Sequence, residues 1–484
     1  MSRRYLFLIL LVSIATSFLL YGNSIKGDFV YDDVEYVNRE DLKEAGSLIK
    51  VWGQPGLPDI ISSGLFHPVT SFTFNLNFLL FGESPSSFHV VNIILNGIVV
   101  FLVFLLSCRL FGNIPLALFI ALLYAFLPIH TEAVANIKGR DEILSALFGV
   151  WAWVVFIKAT EDKNRISYRL VWFSSVLFLL AVLSKELIIT LPALFLVALI
   201  MRKKLRLVEL GKLSGIFLAS GVIYMIWRYQ VLGSYAFGGD VSFFAINPLA
   251  SAPYLPRIFT AFQIAFIYIG KTFVPWNLSA SYHFNQLPLV TNLFDSWQAV
   301  SGLAMMLLLV FLSFFNRTRV TAISLGAISF LVPYIVISKI IFKGGDILAE
   351  RWMYFPSVGL SIIGGYLVYL LFIRARWLGL AILAVVIGIY TPVLVDRNKV
   401  WLSEESLRQS MVETAPRSIQ GYSGLAYFYK ENNLINKAKQ AAEKAYGIYD
   451  KHPPLLNTVG DLAVLEGEYA LAESYYFQAI ETAP

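Results

Sequence analysis

Long apolar runs separated by short polar stretches fill the chain from its start to about residue 398. They are Tyr5–Tyr21, Val90–Leu106, Ile114–Leu127, Ile143–Ile157, Leu170–Leu183, Ile188–Met201, Leu213–Val231, Ala299–Phe315, Ala322–Ile341, Phe355–Ile373 and Leu378–Val395. Apolar runs of this kind predict membrane-spanning helices, about eleven in all, although several are short for a bilayer. Arg3 and Arg4 precede the first run, no small-x-small cleavage site follows it, and it reads as an uncleaved first helix with its start in the cytoplasm. The polar segment 23–88 then becomes a long outer loop. Its GQPGLPDIISSG and GESPSS stretches predict turns and short helices.

Basic loops carrying Arg109, Lys158–Arg169 and Arg202–Arg206 alternate correctly as cytoplasmic. Ile258–Val274 breaks the alternation. Were it to span, Asn316–Arg319 and Arg374–Arg376 would fall outside; it carries Gln263 and Lys271, and reads as interfacial or re-entrant. An inserted segment near Val241–Pro253 would restore the parity instead. Either way the chain's end lies on the outer face.

From residue 399 the pattern becomes soluble and helical. Leu425, Ala426, Tyr429, Ala438 and Ala445 recur 34 positions later as Val459, Gly460, Ala463, Ala472 and Ala479. This is the tetratricopeptide period, with small residues where paired helices cross. The expected fold class is therefore all-α: a polytopic membrane domain over 1–398 and a short tetratricopeptide-repeat α-solenoid over 399–484. So short an array needs a neighbour to cover its trailing edge.

Composition agrees with a membrane protein, with 57% hydrophobic and 14% charged residues and a mean hydropathy of +0.67. The net charge of +6 suggests nucleic acid only until the basic residues are located. They sit in short loops between apolar runs, so no nucleic-acid partner is expected. Cys108 is the only cysteine, which excludes an intrachain disulfide. His67, His89, His130, His283 and His452 are scattered without helical pairing, which argues against zinc. Carboxylates beside a diphosphate can still recruit Mg²⁺ or Mn²⁺.

Charge on the outer side is concentrated. Asp32 and Asp33 stand together in GDFVYDDVEYVNRE, flanked by Phe29, Tyr31 and Tyr36. Adjacent carboxylates in a partly desolvated cleft repel, which raises one pKa and makes a usable proton acceptor; a wet loop cap is the plainer alternative. PIHTEAVANIKGRDEILSALF gathers His130, Glu132, Lys138, Arg140, Asp141 and Glu142. In helical register Arg140 points away from the face shared by Asp141 and Ser145. Ser184, Lys185 and Glu186 form an abrupt turn, and Lys339, Lys343, Asp346, Glu350 and Arg351 precede Phe355. Several outer loops thus each bring a cation beside a carboxylate, as a phosphate-bearing ligand requires.

The stretches FVYDDVEYVN, HPVTSFTFNLNFLLFGESPSSFHVVNIILN, LPIHTEAVANIKGRDEILSALF, LLAVLSKELIITL and AERWMYFPSVG, followed by the repeats, resemble in order the GT-C glycosyltransferases. The nearest resemblance is to the transmembrane and tetratricopeptide-repeat O-mannosyltransferases and their bacterial relatives. It implies an active site in the first outer loop, a dolichyl- or polyprenyl-phosphate sugar donor, and transfer to a hydroxyl with inversion. By that resemblance Asp32 and Asp33 match the paired-acid motif, with Asp32 as general base. Arg140 and Asp141 match the GR-acid turn, while Lys185, Glu186, Glu350 and Arg351 match the SKE and AER turns. His67 stands where the resemblance implies an arginine before proline, making it a pH-dependent substitute at the donor phosphate. The repeats imply a polypeptide acceptor or an assembly partner. A non-catalytic membrane scaffold recruiting partners through its repeats is the rival reading, and a transporter ranks below both, because the charges collect at one face rather than at helix midpoints.

Overall fold

In a computed structural model, residues 2–38, 40–53, 64–162, 165–202, 206–237, 244–314, 321–341 and 344–482 are described, and every regular element among them is helical. The whole stretch from Gln54 to Ser63, the basic loop Asn316–Arg319, the centre of Arg202–Arg206 and Lys343 lie outside the described residues.

Seven helices are long and apolar enough to cross a membrane: Arg3–Lys26, Pro85–Phe111, Arg140–Thr160, Leu207–Phe237, Trp297–Phe314, Ser357–Arg374 and Arg376–Val400. Ile114–Ala125 and Pro128–Ala135 form an eighth candidate bent by 53°, and Tyr168–Ser184, Glu186–Met201 and Ala322–Ile337 are shorter apolar helices. Each expected apolar run lies on one of these helices. Tyr254–Phe273, though 20 residues long, is not among the helices apolar enough to cross. One of its faces buries Arg257, Thr260, Gln263, Tyr268 and Thr272, and Gln263 donates to Gln298 at 2.8 Å.

Small residues let the rods approach closely, as expected where no hydrophobic gain separates helix contacts from lipid contacts. A Cβ on Gly97 would stand 2.6 Å from the Cα of Ile14, and one on Gly365 would stand 2.8 Å from the Cα of Ile120. Gly326 and Gly359 face each other across another such crossing. A chain of buried polar groups runs between helices: Tyr354 donates to Asn96 at 2.6 Å, Asn96 to Ser17 at 2.8 Å, and Ser17 to the Ile93 carbonyl at 2.7 Å.

The first and last membrane helices are tied together. Asn398 donates to the Leu20 carbonyl at 2.8 Å and to Asn23 at 2.7 Å, while Asn23 donates to the Val395 carbonyl at 2.8 Å. The chain therefore leaves the last membrane helix beside the start of the long polar loop that follows the first. Val30, Ala135, Trp401, Leu407 and Met411 form one small apolar core there.

Beyond it come the helices Glu404–Thr414, Ile419–Glu431, Ile435–Ile448, Pro453–Leu465 and Tyr469–Thr482. Ser403 caps the first, accepting from the Ser406 amide. Ala438, Ala441, Ala442 and Ala445 pack with Leu425, Ala426, Leu455 and Leu462, and Gly460 lies under the Tyr476 ring. The alanines and glycine of the 34-residue register are thus the points of close helix approach. The end of this unit that meets the membrane domain is its beginning. Ile419 donates to the Phe284 carbonyl at 2.6 Å and Asn285 to the Arg417 carbonyl at 2.9 Å. The trailing helix, where support is expected from the sequence, instead exposes Tyr469, Phe477 and Ile480.

Candidate active site

The paired acids lie on one helical turn, Asp32–Tyr36, rather than on an extended segment. Asp32 is partly exposed, whereas Asp33 is fully buried. Successive positions on a helix diverge by about 100°, so the two side chains leave the turn in different directions, though less completely than on a strand. Asp33 accepts from the Lys138 amide at 2.6 Å and from the Val30 amide at 3.2 Å. It ties the loop after the first helix to the turn after Ala135. Burial pushes the Asp33 carboxyl up to about 7, against those two amides and with the Asp32 charge adding to the rise. A second acid acting on substrate is not what its surroundings offer: both oxygens are engaged by backbone.

Asp32 faces a different set of groups. Its charge acts on Lys138, Arg351 and the Tyr31 and Tyr36 phenols. The Lys138 ammonium lies 5.6 Å from the centre of the Tyr36 ring and 3.1 Å from Asp141. Burial opposes its charge, but Asp141 and Asp32 carry its pKa above the ordinary lysine value.

Loops at several helix ends bring further cations and carboxylates together around Asp141 and Arg351. Lys185, on an extended break between two helices, reaches Asp141 and Glu142, each at 2.9 Å. His67 pairs with Glu186 at 2.6 Å and lies 3.8 Å from Asp141. Arg351 is paired with Glu132 through its side chain and, at 3.0 Å, through its amide; a second guanidinium nitrogen meets Asp346 at 3.0 Å. Asp346 is also joined by His283 at 3.2 Å, and these partners hold its carboxyl, although buried, well below the usual range.

Lys339 completes the ring. It is buried, has a left-handed backbone at φ 63°, lies 4.0 Å from the Trp352 ring centre, and donates to the Gly344 carbonyl at 2.7 Å. No carboxylate lies within ion-pair distance of it among the described residues. Burial lowers its pKa to about 8, with Asp346 pulling the other way.

Three expected ligands lie elsewhere. Arg140 is wholly buried and donates to Asn92, Asn77 and the Thr73 and Phe88 carbonyls, with its guanidinium 4.6 Å from the Phe74 ring centre and 5.3 Å from that of Phe88. These partners take four of its five N–H donors, none of them within the charged cluster. His130 bonds Ser357 at 2.7 Å between Tyr124 and Tyr354. Glu350 turns toward the loop that follows the helix Tyr254–Phe273, accepting from the Ser279 amide at 2.8 Å and the Tyr282 hydroxyl at 2.5 Å, and its burial raises its pKa.

Conversely, the cluster gives Lys339 and Asp346, which the sequence groups only as charges in the stretch before Phe355, and His283, visible only as one of several scattered histidines, partners that the sequence does not specify. Adjacency in sequence to the AERW turn is the available signal for the first two. His283 carries none, because its partner is 63 positions away. As for a divalent ion, Asp141, Glu132 and Asp346 are already matched to lysine, arginine or histidine, which leaves Asp32 without a second free carboxylate, and no group of three metal-ligating side chains occurs among the described residues. The donor set does not fit a resident cation.

Comparison with known proteins follows the same residues. A family model described as dolichyl-phosphate-mannose-protein mannosyltransferase matches residues 66–227, which include His67, Glu132, Lys138, Asp141, Lys185 and Glu186. Protein O-mannosyl-transferase TMTC1 of Homo sapiens is 29% identical over an alignment covering 92% of this chain and 56% of that protein. TMTC4 of Homo sapiens is 28% identical over 89% of this chain and 64% of its own length. Protein O-mannosyl-transferase F38B6.6 of Caenorhabditis elegans is 25% identical over 89% of this chain and 61% of its own length. The chain thus spans less than two thirds of the length of these relatives. Over about nine tenths of its own residues the chain is similar to the TMTC protein O-mannosyl-transferases and to F38B6.6.

Proposed function

We propose that the protein is a membrane glycosyltransferase that moves a sugar, mannose or another hexose, from a polyprenyl- or dolichyl-phosphate carrier to a hydroxyl acceptor, protein Ser or Thr. The observation that carries this reading is a partly exposed carboxylate, Asp32, whose charge acts on Lys138 and Arg351, with Lys339 next to Arg351 and Asp346, on loops that leave apolar helices. A lipid-linked phosphate needs cations at the end of a membrane helix bundle, and an acceptor hydroxyl needs a base within reach of them.

In the proposed step the acceptor oxygen attacks the anomeric carbon from the face opposite the phosphate. A new carbon–oxygen bond forms as the bond to phosphate breaks, its electron pair leaves with the phosphate oxygen, and the acceptor proton passes to Asp32. One displacement gives inversion. Lys339 and Arg351 meet the charge that grows on the leaving phosphate; such preorganised cations act most strongly where water is scarce. Lys138, Lys185 and His67 hold Asp141 and Glu186 in place beside them. Arg140 and Asp33 brace the turn and the loop that carry this set.

The described residues Arg109, Lys158, Arg165, Arg169, Arg206, Lys212, Arg374 and Arg376 lie in or near the loops at the opposite helix ends. By the positive-inside rule those ends are cytoplasmic and the Asp32 cluster is extracytoplasmic. The C-terminal helices, read as tetratricopeptide repeats, then share the active face and receive a polypeptide acceptor or a partner.

The test is transfer from a panel of polyprenyl-phosphate sugars in membranes carrying wild type or Asp32→Asn at matched expression. Removal of a general base is expected to cost roughly 10²- to 10⁴-fold in rate. Wild type inert toward every donor, with Asp32→Asn unchanged in cells, would transfer support to the scaffold reading.

A further inference from the structure

The residue before the proposed base has a backbone that its side chain disfavours. Tyr31 sits at φ 53°, ψ −122°, in the positive-φ region that glycine enters freely and an L side chain enters at a cost of about 1–3 kcal/mol. Such a conformation persists only where the surroundings impose it. Here the imposing groups come from the other end of the chain. The Tyr31 amide donates to Glu404 at 2.7 Å; the other oxygen of that carboxylate accepts from Arg408 Nε at 2.7 Å, and the Arg408 guanidinium lies 4.9 Å from the Tyr31 ring centre.

Two further contacts seat the clamp. The Asp28 amide donates to the Leu402 carbonyl at 3.1 Å, and Val30 packs with Trp401, Leu407 and Met411. A Cβ on Gly27 would stand 3.1 Å from the Trp401 carbonyl oxygen, so the loop lies directly against the linker between the last membrane helix and the helix Glu404–Thr414. Arg408 is itself confined, because its guanidinium fills the space beside Gly424 on the next helix. The C-terminal unit therefore bears on Tyr31 through a short chain of rigid parts: the Ile419–Glu431 helix on Arg408, Arg408 on Glu404, and Glu404 on the Tyr31 amide.

We infer that Glu404 and Arg408 are positioning residues for sugar transfer: by holding Tyr31 in its strained conformation they aim the turn that begins at Asp32, so the docked C-terminal helices complete the active site. The inference rests on the proposed transferase reading for its consequence in rate, but the clamp itself has a readout independent of activity. Neither residue reaches the Lys339–Arg351 cluster by any ion pair among the described residues, so their loss should act on the orientation of Asp32 and spare the donor site.

The experiment uses the full chain in detergent or nanodiscs, with Glu404→Ala, the milder Glu404→Gln, and Glu404→Ala combined with Tyr31→Gly. Amide hydrogen exchange is followed in the peptide 27–38, with the helix Ile419–Glu431 as the folding control, beside kcat and the donor KM. Glu404→Ala should exchange faster over 27–38 while the control helix is unchanged, and should lose roughly 10- to 100-fold in kcat with little change in donor KM, as a misaimed reacting group does. Glu404→Gln, which still offers one acceptor, should fall between it and wild type. Adding Tyr31→Gly, which removes the backbone strain, should recover kcat, whereas a merely structural role would make the double variant worse. Unchanged exchange over 27–38 in Glu404→Ala overturns the clamp whether or not transfer is detected. Faster exchange with full kcat overturns its role in positioning. A wild type without transfer counts against the proposed function, and the clamp is then decided by exchange alone.

Discussion

Arg140 and Lys138 leave the same turn and enter opposite environments. The guanidinium of Arg140 passes inward, between Phe74 and Phe88, and spends its hydrogen bonds on amide and carbonyl oxygens. The ammonium of Lys138 passes outward to Asp141, the Tyr36 ring and the field of Asp32. Both cations are buried. The difference lies in what surrounds them: neutral acceptors and aromatic faces close a site, whereas charges shared among loops at the membrane edge leave one in which a charged ligand can replace a partner. Burial of a cation beside a glycine is thus no guide by itself to function. Gly139 is required for a third reason, since a Cβ there would collide with the Ala133 carbonyl and prevent the turn.

If the inward region is purely a brace, removing Arg140 should damage folding more than a substitution at Lys339 or Asp33. Arg140→Ala strips the donor from four buried oxygens. The expected loss is on the order of 4 kcal/mol, read as thermal or denaturant unfolding in detergent and as low membrane yield. A folded Arg140→Ala protein with altered donor KM would place this arginine in the ligand site and dissolve the comparison.

The outward region makes the converse demand. Lys339→Ala should leave the unfolding temperature near that of wild type and raise the donor KM about tenfold, the usual worth of one charge-assisted hydrogen bond. Because burial holds the Lys339 pKa at about 8, its charge is present below that pH and lost above it. Donor KM in wild type should therefore climb as pH rises through about 8, and Lys339→Arg should flatten the profile. A KM indifferent to pH across that transition would remove Lys339 from the donor site.

Asp33 gives the smallest effect and the sharpest sign. Its folded pKa of about 7 exceeds the ordinary aspartate value, so the folded state keeps a proton that the unfolded chain loses. Its contribution to stability is complete below the unfolded pKa and fades as pH rises toward about 7. Wild-type stability should fall across that window, and Asp33→Asn, which does not titrate, should show a shallower slope at a cost of roughly 1–3 kcal/mol for the mismatched acceptor. A slope identical in the two proteins would contradict the burial argument.

Much of the fold is legible in the sequence because its signals are local. The apolar runs mark the membrane helices by length and hydropathy, and Gln263 and Lys271 mark Tyr254–Phe273 as different; Lys271 donates to the Asn277 carbonyl at 2.5 Å just past that helix. The small residues of the 34-residue register lie at helix contacts because crossing helices leave no room there. The divergence of Arg140 from Asp141 also follows from helical phase. Its destination does not, since Asn77, Asn92 and Phe88 belong to other helices. Asp32 and Asp33 look equivalent in sequence, and only the amide of Lys138, 105 positions away, tells them apart. The Glu404 contact to Tyr31 crosses 373 positions and is hidden further because an acid in a helix's first turn already has an ordinary explanation there.

The most direct test of the account sets Asp32→Asn beside Asp33→Asn in matched membranes and measures, on each, sugar transfer from a polyprenyl-phosphate donor and unfolding temperature. The account predicts a crossed result: Asp32→Asn keeps its unfolding temperature and loses transfer, while Asp33→Asn unfolds earlier and, at a temperature where it remains folded, retains most of its transfer. Equal loss of transfer from both folded variants, or retention in Asp32→Asn, would contradict the division of labour between the two carboxylates.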